Sequence, residues 1–400
     1  MRFFLLFFLI FMSSLFCAAQ ENTSIQKKKI LILSSNGGYG HRAAEKTLEV
    51  ILGKNYEFKV ICPIEEIKMW GVSGSEEVYN YLLKEGWIHS TNIISKHVAP
   101  KLFRNRRRAI ERLIDRHIEC AKPDIIISLI PFINYPATEA ARKREVPYLL
   151  ITTDNDLRNW VHGLHCVTHP NFKITVGANL PSTCGLLKQR HIPEKDINII
   201  GLPIRTSFKA SKNIEQLYQE YAIPKEKPTI LIMMGGAGGK KCLEYTHAIG
   251  ILPIGVHLIV CTGKNEQLKE KLGKIKLHPA NSITIMGFTD KIADLMTLSD
   301  LMITKPGPGV INEAIATHLP VLIDKTVSPI SWEKANINLV MQYGIGDAVR
   351  DMKDLPQLLN KYLFNAPFQQ KLEEAFNQLP SNEFNEKVKD VVDSMCAHNP

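Results

Sequence analysis

The chain has 400 residues, of which 45% are hydrophobic and 22% charged, and its formal net charge is +9. These values exclude a disordered or fibrous chain and leave room for two or three domains with their own cores. The positive charge is concentrated at Lys27–Lys29 and in "KLFRNRRRAIERLIDRH" (101–117), where basic and apolar residues interleave. That pattern suits an anionic membrane surface or a phosphate-bearing ligand, and also an ordinary solvated helix. No recognition helix, zinc finger or RNA-binding signature accompanies the charge, which argues against a nucleic-acid partner. The eight cysteines are scattered without a C-x-x-C pair and read as mostly buried thiols in a reducing compartment.

Residues 3–19, "FFLLFFLIFMSSLFCAA", carry no charge after Arg2 and end in small residues. The segment 1–27 reads either as a cleaved signal peptide, which would export the chain, or as a short membrane anchor. A span needs about 20 apolar residues. If it anchors, Lys27, Lys28 and Lys29 would hold the globular part on the cytoplasmic face.

From residue 28 to 206 the chain alternates helical stretches with short apolar runs: "KILILSS" (29–35), "FKVICPI" (58–64), "DIIISLI" (124–130), "YLLITTD" (148–154), "ITVGAN" (174–179) and "INIIGLP" (197–203). Runs apolar throughout belong to a parallel sheet covered on both faces, which predicts a doubly wound α/β domain. Residues 207–228 read as a polar connection with one helix. The alternation restarts over 229–365 with "TILIMMGG" (229–236), "VHLIVCTG" (256–263), "SITIMGF" (282–288), "LMITKPG" (301–307) and "PVLID" (320–324). A helical segment over 366–400 is expected to pack back across the first domain.

Each half opens with a glycine loop after its first strand, "NGGYGH" (36–41) and "GGAGGKK" (235–241). Glycine lets a ligand approach the backbone closely, and the N–H groups of a strand-to-helix turn favour anions. Ligands of open α/β sheets bind beyond the carboxyl ends of the strands, so two such domains make a cleft with a glycine loop on each wall. "GYGHRA" also fits a dinucleotide fingerprint. Its acidic partner would be Glu65 or Glu66, but a proline intervenes before them.

"MGFTDKIADLMTLSDLMITKPGPGVINEAIATHLPVLI" (286–323) resembles the donor-binding region of glycosyltransferase family 28, and "GGYGHRAAE", "KPDIIISLIP", "ITTDNDLRNW" and "IIGLPIRTSF" resemble, in order, further motifs of that family. The pattern is most similar to monogalactosyldiacylglycerol synthases and processive diacylglycerol glucosyltransferases. The resemblance implies a GT-B fold, a UDP-sugar donor in the C-terminal domain, a lipid acceptor such as diacylglycerol in the N-terminal domain, and inversion at the anomeric carbon.

On that resemblance His41 is the base that takes the proton of the acceptor hydroxyl, a task suited to an imidazole. Asp154 is a second base or an orienting partner. Gly37, Gly38, Gly40 and Trp160, with His162, are placed on the acceptor side. Gly235, Gly236, Gly238, Gly239, Gly307 and Gly309 offer N–H groups to a pyrophosphate, and Lys305 adds a point charge. Glu313 is placed on the ribose diol and Phe288 on the uracil. Arg104, Arg106, Arg107 and Arg108 are expected to meet an anionic membrane. "DND" (154–156) mimics the metal motif of another glycosyltransferase fold, but its place after a strand assigns it no metal; helix dipoles and basic groups can offset the leaving-group charge without a cofactor. The chain departs from the family at "PISWEKAN" (329–336): Glu333 and Asn336 align, whereas Ser331 and Trp332 replace a glycine and a glutamine expected at the donor sugar. The alternatives to a hexosyltransferase are another GT-B activity, such as sugar-nucleotide epimerisation or transfer to a polyprenyl-linked sugar, and a non-catalytic UDP-sugar binder.

Overall fold

The computed structural model describes residues 27–37, 40–67, 81, 87–165, 169–235 and 239–397. The apolar segment 3–19 and, among the site residues named above, Gly38, Gly236 and Gly238 lie outside the described residues. Among those described, no helix is long and apolar enough to cross a membrane.

Among the described residues, twelve strands form two six-stranded sheets, parallel throughout. The first contains β1 (Lys28–Leu33), β2 (Tyr56–Ile61), β3 (Ile125–Ser128), β4 (Tyr148–Ile151), β5 (Phe172–Val176) and β6 (Ile197–Ile199), in the order β2-β1-β3-β4-β5-β6. The second contains β7 (Thr229–Met233), β8 (His257–Cys261), β9 (Ser282–Met286), β10 (Leu301–Thr304), β11 (Val321–Asp324) and β12 (Gly346–Val349), in the order β12-β11-β10-β7-β8-β9. The central strands are buried along their length, as in β3, β4 and β10, where every residue is buried. Uniformly apolar runs of β-branched residues and leucine therefore pack on both faces. β12 escaped the sequence reading. It is an edge strand, "GDAV", with a half-buried carboxylate, so it shows no apolar run.

The chain passes from β6 to β7 through a 3₁₀ turn (Thr206–Phe208) and a short helix (Ile214–Glu220) capped by Asn213. The two C-terminal helices part company. Ala366–Asn377 buries Leu372 and Phe376 in the core of the second sheet, while Phe384–Ala397 buries Phe384, Val388, Val392, Met395 and Cys396 in that of the first. The crossing is fastened by side-chain amides: Asn382 and Asn385 donate to the carbonyls of Leu202 (2.9 Å) and Ile204 (2.8 Å). At Gly201, with φ +99°, an added Cβ would lie 2.3 Å from Asn382 Oδ1, so this junction requires glycine.

The described cysteines carry no disulfide, and they are less buried than expected. Cys242, Cys261 and Cys396 are buried, Cys62 and Cys184 half-buried and Cys120 exposed.

Candidate active site

Because every strand is parallel, the carboxyl ends of each sheet lie along one edge. The strand order reverses beside β1 and β3 in the first sheet and beside β7 and β10 in the second. Such switch points open crevices for ligands. The segments that follow β1, β7 and β10 carry His41, Gly235 and Lys305.

His41 is the second residue of the helix Gly40–Leu52. Its Nδ1 lies 3.4 Å from Thr153 Oγ1 after β4, and its ring meets Trp160 at 6.0 Å, tilted by 52°. Burial lowers its pKa to about 4 against the opposing hydrogen bond to the Leu129 backbone, so the imidazole is neutral near pH 7. The loop before it is clamped: Arg42 Nε donates to Asn36 Oδ1 (2.8 Å), and Asn36 Nδ2 donates to Glu65 Oε1 (2.6 Å). Gly37 N–H turns back to Ser35 Oγ (2.9 Å). An added Cβ at Gly40 would meet nothing within 4 Å, so internal packing does not call for glycine there. Trp160 is only 3% exposed and belongs to the core of the first domain. Its indole backs His41 from within instead of presenting an open face to an acceptor. His162 is half-buried, and burial lowers its pKa.

Asp154 follows β4 and is buried; desolvation holds its carboxyl well above the ordinary range, helped by the charges of Asp156 and Glu333 and opposed by the Asp156 N–H. The rest of "DND" is engaged by protein. Asp156 binds Arg158 (2.9 and 3.0 Å from Nε), and Asn155 reaches across the cleft. Among the described residues no cluster of three or more His, Cys, Asp or Glu could hold a metal ion.

On the opposite wall Gly235 has φ +88°, a left-handed conformation that favours glycine, and an added Cβ would sit 3.0 Å from Lys305 Cε. Gly239 closes the loop against Met234. Gly307 precedes the helix Pro308–Ala316, whose N-terminus no side chain caps; Pro308 there gives up an N–H that would be unpaired anyway. Gly309 lies in its first turn, with nothing within 4 Å of an added Cβ.

Glu313, in the same helix, is 9% exposed and accepts hydrogen bonds from Arg205 (Nε to Oε1, 2.7 Å). Burial raises its pKa and Arg205 opposes the shift. Arg205 also stacks over Phe208 at 4.9 Å. It comes from the end of the first domain, inside the quoted motif "IIGLPIRTSF", yet nothing in its spacing pointed to Glu313. Phe288 is 56% exposed at the end of β9, with Lys264 Nζ 5.1 Å from its ring centre. It is therefore a surface ring, not a core one.

Glu333 and Asn336 are buried where the helix Lys334–Gln342 begins. Burial raises the Glu333 carboxyl, while Lys305 and a hydrogen bond with the Ile330 backbone oppose this. Asn336, fully buried, accepts from Asn155 (2.9 Å) and donates to the Pro306 carbonyl (2.8 Å). Ser331 is bonded by Asn92 and Arg158, and Trp332 beside it is half-buried. Arg104, Arg106, Arg107 and Arg108 stand apart, exposed at the junction of two helices, Ala99–Asn105 and Arg107–Ala121. Arg104, Asn105, Arg107 and Arg108 line an open basic depression of about 420 Å³.

Two doubly wound domains, with glycine loops and charged side chains converging at the carboxyl ends of both sheets, define a GT-B fold. A solved structure, MurG from Acinetobacter baumannii, is similar with a TM-score of 0.59 over 92% of this chain and 99% of that one, at 16% identity. Residues 230–324 match the glycosyltransferase family 28 C-terminal domain. The processive diacylglycerol β-glucosyltransferase of Bacillus pumilus is 26% identical over 346 residues, covering 83% of this chain and 86% of the relative. The chloroplastic monogalactosyldiacylglycerol synthase of Spinacia oleracea is 27% identical over 368 residues, covering 83% of this chain and 65% of that protein. The chain is thus similar to glycosyltransferase family 28 over residues 230–324 and to the diacylglycerol glycosyltransferases over most of its length.

Proposed function

We propose that the protein transfers a hexose from a UDP-sugar to a lipid hydroxyl, with diacylglycerol as the acceptor, inverting the anomeric centre. The observation that carries this reading is the neutral, half-buried His41 at the switch point of the first sheet, in a cleft with the uncapped helix terminus and Lys305 of the second domain. The imidazole takes the proton of the acceptor hydroxyl as its oxygen forms a bond to the anomeric carbon. The bond from that carbon to the β-phosphate oxygen breaks, and its electron pair leaves with UDP. Attack from the face opposite the leaving group gives inversion. Lys305 and the N–H groups of the glycine loops offset the charge that develops on UDP, and no metal is invoked.

The ribose binds at Glu313, where Arg205 now sits, and the uracil against Phe288. Trp332, Glu333 and Asn336 face the sugar end. Trp332 offers one donor and no acceptor where relatives place an amide, so it stacks on the sugar instead of exchanging hydrogen bonds with it. The exposed arginines hold the protein to an anionic membrane on the cytoplasmic face, where nucleotide sugars are expected.

Incubation with UDP-glucose, UDP-galactose or UDP-N-acetylglucosamine, with and without diacylglycerol vesicles, tests the reading. UDP release that depends on the lipid, with a glycolipid product of inverted configuration, is expected. Interconversion of the free nucleotide sugar would instead indicate an epimerase, and binding without turnover a non-catalytic binder.

A further inference from the structure

The loop between β11 and the helix Lys334–Gln342 belongs to the second domain by sequence, but the backbone of Pro329 and Ser331 within it is held by the first. Asn92, in the helix Ile88–Ile93, donates from Nδ2 to the Pro329 carbonyl (3.2 Å) and accepts at Oδ1 from the Ser331 N–H (2.7 Å). One side-chain amide thus reads two backbone groups of the loop, as the edge of a neighbouring strand would. A carboxylate would satisfy only the N–H and a hydroxyl would not reach both, so the contact fixes the loop's register. Arg158 Nη2 donates to the Ser331 carbonyl (3.3 Å), and Asn155 binds Asn336 five residues further on. Trp332 and Glu333 lie between these fastenings. At the nucleotide end, the Arg205–Glu313 pair ties the two domains.

We propose that Asn92 is a positioning residue for donor-sugar recognition: from the acceptor domain it sets the backbone of residues 329–331, so that Trp332 and Glu333 meet the sugar only while the two domains are engaged. This rests on the reading of the cleft as a UDP-sugar site and deepens it. Sugar choice then depends on a residue more than 200 positions away in sequence that need not touch the sugar. The nucleotide half stays indifferent to it.

The test titrates the full chain and its Asn92→Ala and Asn92→Asp variants with UDP, UDP-glucose, UDP-galactose and UDP-N-acetylglucosamine in a calorimeter, and follows hydrogen exchange at the Ser331 amide. For Asn92→Ala, UDP affinity should stay within about twofold of the parent. The parent's preference among the three UDP-sugars should shrink about three- to tenfold, the size of one or two lost hydrogen bonds, and the Ser331 amide should exchange faster by a similar factor. Asn92→Asp keeps the acceptor and loses the donor, so Ser331 should stay protected while part of the sugar preference is lost. An unchanged sugar preference, unchanged exchange at Ser331, or a fall in UDP affinity parallel to that in sugar affinity would overturn the proposal. So would a parent protein that binds UDP but treats all three sugars alike. A parent that binds no UDP at all would overturn the underlying reading of the site instead, and is told apart by that first titration.

Discussion

The two walls of the cleft are built by different means. On the second-domain wall the candidate phosphate contacts are backbone N–H groups at Gly235, Gly239 and the terminus of Pro308–Ala316, helped by an exposed lysine. On the first-domain wall the candidate groups are two titratable side chains, the half-buried His41 and the buried Asp154, whose ionisation the surroundings have shifted. A backbone cradle depends on glycines and a strand–helix junction, so it leaves a long, readable pattern. Residues 230–324 are the stretch that matches the family. A side-chain site depends on two or three residues and on what buries them, and neither is visible in a linear pattern.

If the comparison is right, changes on the first wall should affect turnover and changes on the second should affect nucleotide binding. The largest effect is expected for His41→Ala: a loss of turnover of about 10²–10⁴-fold, the usual contribution of a general base, with UDP affinity retained. The same group sets a pH dependence. Its folded pKa of about 4 lies below the ordinary 6.5, so the base stays unprotonated through mildly acidic pH. The acid limb of kcat/KM should then fall near pH 4. Between pH 6.5 and 4 the unfolded chain binds a proton that the folded one does not, so stability should decline as pH drops through that window. A limb near 6.5, removed by the His41 substitution, would show that the ring is solvated in the working enzyme.

Outside the cleft, neutralising Arg104, Arg106, Arg107 and Arg108 together should weaken binding to anionic vesicles by about 1 kcal/mol for each residue that lies near the surface. Co-sedimentation at low salt measures it, and an unchanged bound fraction would reduce the cluster to a solvated face.

Much of the architecture was legible because buried parallel strands are apolar from end to end. All strands of the first sheet and five of the second were readable; β12 was hidden by its polar edge position. The glycine loops and the residues of "KPGPGVINE" were legible for a different reason, since a backbone-lined turn tolerates few residue types. What the sequence could not show was reach. Arg205, Asn92, Asn155 and Arg158 act across the cleft on Glu313, residues 329–331 and Asn336, and no local spacing reports such contacts. Nor did residue type reveal that Trp160 is a core residue supporting His41.

On the second wall, Glu313→Ala should weaken UDP by about 1.5–3 kcal/mol, the range for hydrogen bonds to a charged group, with little change in turnover at saturating donor. Calorimetry together with kcat at high UDP-sugar separates the two. The smallest effect is expected at Glu333, where burial disfavours the carboxylate. Its raised pKa means the folded state holds a proton that the unfolded chain has released, so the parent should gain stability as pH falls from neutral towards 4. Glu333→Gln should remove that gain and be about 1 kcal/mol more stable than the parent at pH 8, where the buried charge costs most. Chemical denaturation at pH 5 and pH 8 checks the sign.

The central claim is that the second-domain wall is a nucleotide-diphosphate site set opposite a neutral base, and titration of the full chain and of His41→Ala with UDP tests it most directly. The account predicts saturable one-to-one binding of similar affinity in both proteins, with lipid-dependent UDP release only in the parent. Absence of UDP binding by the parent, or binding lost along with His41, would contradict it.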